Sequence, residues 1–102
     1  MIFIFTTLNK KEIAVKIGKE LLKQRIIACY NLLPTEAAYR WKGKIVDENE
    51  VLMILKTRKE NFERVEKYLK VHSSYETPEV VAIKATKVST SYLDWITSET
   101  KP

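Results

Sequence analysis

The chain has 102 residues, which is one domain's worth, since domains cluster at about 100–150 residues. Hydrophobic residues make up 45% and charged residues 30%, which excludes a disordered chain, because that apolar fraction can offset chain entropy. One Cys excludes a disulfide framework and points to the cytoplasm, no run approaches the ~20 apolar residues of a membrane helix, and the net charge of +5 comes from Lys interleaved with Glu, the pattern of solvated helix faces more than of a nucleic-acid surface.

Residues 1–7 are apolar on both alternating faces, Ile2 and Ile4 on one and Phe3 and Phe5 on the other. That pattern predicts a central strand covered on both sides. Asn9 with Glu12 three residues on forms a capping-box pattern, so a helix is expected from there to Gln24 or Arg25. Its apolar face carries Ala14, Ile17, Gly18 and Leu21.

Residues 26–33 read as a second strand, and Pro34, which cannot donate to a ladder, predicts a bulge or a sheet edge. Extended character resumes through Ala38, Tyr39 and Trp41, and Lys42-Gly43-Lys44 supplies a tight turn with Gly43 at positive φ. Residues 45–56 return as a third strand. Arms of that length exceed the usual strand of about 5–6 residues, and a lone small domain cannot cover them, so their edges are expected to pair with another chain.

Thr57 with Glu60 is a second capping box. It opens a helix whose stripe is Phe62, Val65, Leu69 and His72. Thr77-Pro78 breaks the chain, residues 80–85 form a fourth strand, and Ser91 with Asp94 opens a short final helix bearing Tyr92, Trp95 and Ile96. The order βαββαβ plus a helix predicts an α+β, ferredoxin-like single domain.

A single His leaves no nucleophile–base relay to argue. Only 2 Gly exclude a glycine-rich phosphate loop. The aromatic signature of an RNA-recognition strand is missing around Tyr39, Arg40 and Trp41. No enzyme, nucleic acid or membrane role is expected. Cys29 is a soft metal donor and His72 a borderline one, with Glu50, Glu76 and Glu79 able to add oxygens. Each also has a structural reading: Cys29 as a small core residue, His72 as the wet end of a helix stripe, and the carboxylates as solvated side chains. Tyr39, Trp41, Tyr75 and Trp95 read as interface or core aromatics.

Five motifs resemble the CutA divalent-cation-tolerance family: Ala28-Cys29-Tyr30-Asn31; Tyr39-x-Trp41-x-Gly43-Lys44; Glu50 leading to Leu55-Lys56-Thr57; Tyr75-Glu76-Thr77-Pro78-Glu79; and Tyr92-Leu93-x-Trp95. They lie in register across nearly the whole chain. The resemblance implies a homotrimer whose long hairpin arms lock the subunits, with Tyr39, Trp41 and Trp95 at the contacts. It implies divalent-metal binding, copper above all, with no required cofactor. It also implies an alternative: a trimeric signalling module like the PII proteins, taking a small effector in intersubunit clefts near Cys29, Lys56, Tyr75 and Glu76. Metal-binding members often carry His-Pro-Tyr where this chain has Ser73-Ser74-Tyr75, and some carry Cys at the position of Thr6. The donors left are His72 and Glu79, so copper binding is expected to be weak.

Overall fold

A computed structural model describes residues 1–102. Its elements are β1 (Ile2–Leu8), α1 (Lys11–Lys23), β2 (Cys29–Trp41), β3 (Lys44–Thr57), α2 (Phe62–His72), β4 (Val81–Lys84) and α3 (Thr90–Glu99), with one 3-10 turn, Lys59–Asn61, leading into α2. The four strands form one antiparallel sheet in the order β2-β3-β1-β4. The α+β, ferredoxin-like arrangement expected from the sequence is the one observed.

Register explains the core. Ile2, Ile4, Thr6 and Leu8 stand opposite Thr57, Leu55, Met53 and Val51, and directly opposed residues share a face. That face packs against Ala14, Ile17 and Leu21 of α1 and Val65 and Leu69 of α2 in one buried cluster. Gly18 of α1 belongs to this seam. A Cβ there would lie 2.6 Å from the Tyr30 ring and 2.9 Å from Met53 Cε, so only glycine lets the helix approach the sheet this closely.

The second face of β1 departs from expectation. Phe3 and Phe5 are only half-buried, because no element of the chain covers their side of the sheet along its length. Their partners on β4, Ile83 and Val81, are 52% and 50% exposed. β1 is central in the sheet, but it is covered on one face.

Pro34 sits within an unbroken ladder from Cys29↔Lys56 to Trp41↔Lys44. Of the two alternatives it resolves as an edge residue, since β2 is the outer strand and a missing N–H there costs nothing. The strand starts at Cys29 instead of residue 26, because Ile26 and Ile27 are buried in the link from α1. The connection at the hairpin tip is Lys42-Gly43, with φ of +50° and +81°. Two positive φ values in a two-residue loop match the right-handed twist of the arms.

Neither capping box forms. Asn9 does not cap α1, which starts after Lys10; its Oδ1 accepts a hydrogen bond from Ser74 Oγ at 2.7 Å and ties down the loop after α2. Thr57 is buried in β3 and donates to the Ile26 carbonyl at 2.5 Å. The final helix begins at Thr90 behind Ser89 instead of at Ser91. α3 is held by arginines from elsewhere: Arg58 donates to Thr97 O, Thr100 O and Thr100 Oγ1, and Arg25 to Ser98 O and Glu99 O.

Candidate functional site

β1 pairs only with Val51–Thr57 of β3, so the outer half of the hairpin, residues 35–50, runs beyond the third strand. The loop after α2 folds back beside that projecting half. Between them lies a cleft of about 480 Å³, walled by Ala37, Tyr39, Trp41 and Glu50 on the hairpin, Thr7 at the end of β1, and Ser74, Tyr75, Glu76, Thr77 and Glu79 on the loop.

A phenol–carboxylate network sets the wall of this cleft. Tyr75 OH donates to Glu50 Oε2 at 2.6 Å and lies 3.2 Å from Glu48 Oε1. Tyr39 OH donates to the same Glu48 oxygen at 2.7 Å. Glu48 and Glu50 reach one side of the hairpin because alternate residues of a strand share a face. Two rings distant in sequence are thereby fixed against two carboxylates.

The same contacts hold the phenols protonated. The hydrogen bond to Glu48 raises the Tyr39 pKa to about 12, with partial desolvation and the charges of Glu48 and Glu50 adding to it. Burial, and next the hydrogen bond to Glu50, push Tyr75 well above the ordinary phenol range. Burial, with the charge of Glu20, also raises Tyr68. A phenol whose folded pKa is raised stabilises the fold below the ordinary value of about 10, and that contribution is lost as pH rises through the raised value. In an ultraviolet titration, Tyr39 and Tyr75 are therefore expected to remain neutral at pH values where the phenols of the unfolded chain ionise, and Tyr39→Phe with Tyr75→Phe should shrink the late phase to the part that Tyr68 contributes. A single phase for all 5 tyrosines near the ordinary value would contradict the network.

The residues singled out from the sequence divide into three places. Tyr75, Glu76 and Glu79 meet in the cleft, joined by Tyr39 and Trp41, which were expected at subunit contacts. Within one chain Cys29 and Lys56 lie apart from Tyr75 and Glu76 and do not line this cleft. They face each other at the hairpin's base, where Cys29 Sγ lies 4.0 Å from Tyr92 OH and Lys56 Nζ sits 5.8 Å from the Tyr92 ring centroid. Lys56 is six positions along β3 from Glu50, about 20 Å at strand rise. Trp95 is half exposed on α3 beside Tyr92, their ring centroids 5.6 Å apart.

His72 is in neither place. It is exposed at the end of α2, its ring stacked on Tyr68 at 4.0 Å between centroids. Thr6 is fully buried in the core beneath the helices, and its hydroxyl has no hydrogen-bond partner. No group of three or more His, Cys, Asp or Glu side chains stands close enough to hold a metal ion. Glu48 and Thr7 were not singled out from the sequence; the signal for Glu48 was its alternation with Glu50 along β3.

A four-stranded antiparallel sheet backed by α1 and α2, with a projecting hairpin and a tyrosine–glutamate cleft beside it, defines a small ferredoxin-like α+β protein. The family model described as CutA1 divalent ion tolerance protein matches residues 2–99. The chain is 42% identical to the divalent-cation tolerance protein CutA of Pyrococcus horikoshii, over 99% of both chains. It is 36% identical to that of Thermotoga maritima, over 94% of this chain and 95% of the relative. Solved CutA1 from Pyrococcus horikoshii superposes with a TM-score of 0.95 at 41% identity over the whole of both chains. A structure from Archaeoglobus fulgidus, described as a periplasmic divalent cation tolerance protein, gives 0.94 at 38% identity, over 97% of this chain and 98% of that one. The chain belongs to the CutA1 divalent ion tolerance family. No helix in it is long and apolar enough to cross a membrane.

Proposed function

We propose that this protein serves divalent-cation tolerance as a homotrimer that binds copper weakly and catalyses no reaction of its own. The observation that carries the assembly is the hairpin. Residues 35–50 have strand neighbours only in each other, and long exposed strand edges recruit further strands. The open face carrying Phe3, Phe5, Val81 and Ile83 offers the neighbouring subunits an apolar surface. The single unpaired cysteine favours the cytoplasm, although the Archaeoglobus relative is described as periplasmic.

Donor chemistry sets the strength of the metal site. Tight copper or zinc centres draw on several N or S donors in fixed geometry. This chain offers one exposed imidazole, His72, with carboxylates such as Glu79 or one from a neighbouring subunit. Calorimetric titration with copper is expected to show weak binding that disappears in His72→Ala, and a chelator should leave the melting temperature unchanged, since the fold does not depend on metal. Nanomolar affinity, or unaltered binding by the His72→Ala protein, would overturn this assignment.

The cleft favours a second activity beside the first: capture of a small effector, in the manner of the PII-like alternative. Its size, about 480 Å³, falls within the usual range of ligand pockets, about 300–1,000 Å³.

A further inference from the structure

We infer that the outer face of α1 and α2 is a docking surface for double-helical nucleic acid, which it holds by the phosphate backbone without reading base sequence. This surface serves neither the metal nor the effector and rests on neither activity. The fold distributes charge unevenly. Residues 10–25 and 58–72, which make the helix layer, hold eleven Lys or Arg against five Glu, whereas the rest of the chain holds seven Lys or Arg against eight Asp or Glu. The whole net charge of +5 therefore sits on one side of the sheet.

In sequence order these lysines alternate with glutamates, the pattern of a solvated face. In space the two separate. Glu20 is half-buried and accepts from Gln24 Nε2 at 2.6 Å, and Glu66 is half-buried and pairs with Lys70 at 3.4 Å. The exposed acids, Glu12, Glu60 and Glu63, stand where the helices begin, and there they complement the helix dipole. Opposite the buried stripe of α1, Ala14, Ile17, Gly18 and Leu21, stand Lys16, Lys19 and Lys23, all exposed. The chain's three ion pairs, Arg25–Glu99, Lys42–Glu76 and Lys70–Glu66, include none of them. Lys19 has Lys16 three residues before it and Lys23 four after, and like charges at these spacings destabilise a helix. A polyanion laid along the row relieves that repulsion. Lys67 and Lys70 continue the basic surface on α2, opposite Val65 and Leu69.

What the layer lacks selects the partner. Its one exposed large apolar side chain is Val71. A folded protein partner needs aromatic or aliphatic anchors, and a membrane-surface helix turns Trp, Phe or Leu outward. Single-stranded nucleic acid is gripped by free aromatic platforms, but Tyr68 and His72 stack on each other and Phe62 packs against the core. A duplex asks only for cations. It carries one charge per about 1.7 Å of axis, and the row from Lys16 to Lys23 spans about 10 Å. The sheet face offered to neighbouring subunits is the opposite one, since Phe3 and Phe5 alternate with the core residues Ile2 and Ile4 along β1. Assembly therefore leaves the helix layer free.

The test titrates the intact protein, in the presence of a chelator, into a labelled DNA duplex of arbitrary sequence and follows fluorescence anisotropy between about 50 and 200 mM salt. Log affinity is expected to fall linearly with log salt, with a slope of about −4 to −5 as the five lysines displace counterions. Lys16→Gln with Lys19→Gln and Lys23→Gln keeps helix propensity. It should weaken binding about tenfold or more at the lower salt and flatten the slope by about 3. Lys67→Gln with Lys70→Gln, flattening it by about 2, gives a second reading should the triple variant fail to fold. A charge-matched control, Lys44→Gln with Lys84→Gln and Lys87→Gln, all exposed outside the layer, is expected to leave the slope in place. Equal losses in the control and the α1 variant would show net charge alone at work and overturn the surface. No duplex binding at the lower salt, or binding to phosphatidylserine vesicles and not to duplex, would overturn the nucleic-acid partner.

Discussion

In dilute native solution the protein is expected to run at the mass of a trimer, and Trp41→Ala to shift that mass downward. Trp41 is 39% exposed in the isolated chain, at the end of a hairpin arm with no third strand beside it. Large aromatic rings at such positions act as anchors of subunit contacts. Full burial by a neighbour makes truncation to alanine cost about 3–5 kcal/mol. The loss falls on assembly, since the buried cluster under α1 and α2 does not include Trp41. Obligate protomers have no separate stability, so the melting temperature should become strongly dependent on protein concentration. Light scattering that returns a monomer mass at micromolar concentration would overturn the assembly. A Trp41→Ala protein that stays trimeric with an unchanged melting temperature would remove this ring from it.

The second large effect is expected at Asn61. Its amide is fully buried at the start of α2, and Nδ2 donates to Ile26 O at 2.9 Å, to Lys101 O at 2.7 Å, and to Thr57 Oγ1 at 3.4 Å. One donor group thus joins the link after α1, the end of β3 and the chain beyond α3. Asn61→Ala strands the Lys101 carbonyl, a cost of about 1–3 kcal/mol. Asn61→Asp is worse, because it buries a carboxylate against two carbonyl oxygens, and an uncompensated buried charge costs about 3–5 kcal/mol. Denaturant unfolding at one fixed protein concentration measures both. Equal losses in the two proteins would show that volume matters there and the donor does not.

Much of the fold was legible because strand alternation and helix stripes are local signals. Ile2 and Ile4 could be placed on one face from spacing alone, and the tight turn at Gly43 from its lack of a side chain. What stayed ambiguous depended on neighbours far along the chain. Pro34 is compatible with a bulge or an edge, and only the strand order decides between them. Asn9 and Thr57 look like helix caps, yet each side chain is engaged by a distant partner, Ser74 in one case and Ile26 in the other. The same division holds for the site. Tyr75, Glu76 and Glu79 lie within one five-residue motif, so their nearness in space follows from the sequence, whereas their shared cleft does not. Glu48 meets Tyr75 across 27 positions, and on an alternating strand its pattern is that of any solvated glutamate. Cys29 and Lys56 belong to the family motifs but stand at the opposite end of β3.

The order of strands has a consequence for how the chain is made. β1 leaves the ribosome before β3 and β4, yet it is an inner strand whose partners are those two. At synthesis rates of about 5–20 residues per second, the 49 positions from Ile2 to Val51, where its β3 partner begins, take roughly 2–10 s to follow. Through that interval Ile2, Phe3, Ile4 and Phe5 form an apolar strand with no ladder to join. The β2–β3 hairpin, closed locally by two residues, forms within microseconds once exposed. Sheet closure then waits for a long-range pairing that brings the earlier segment between two later ones. The nascent protein thus carries its stickiest stretch unprotected for longest, and its yield rests on keeping that stretch from other chains until β3 arrives.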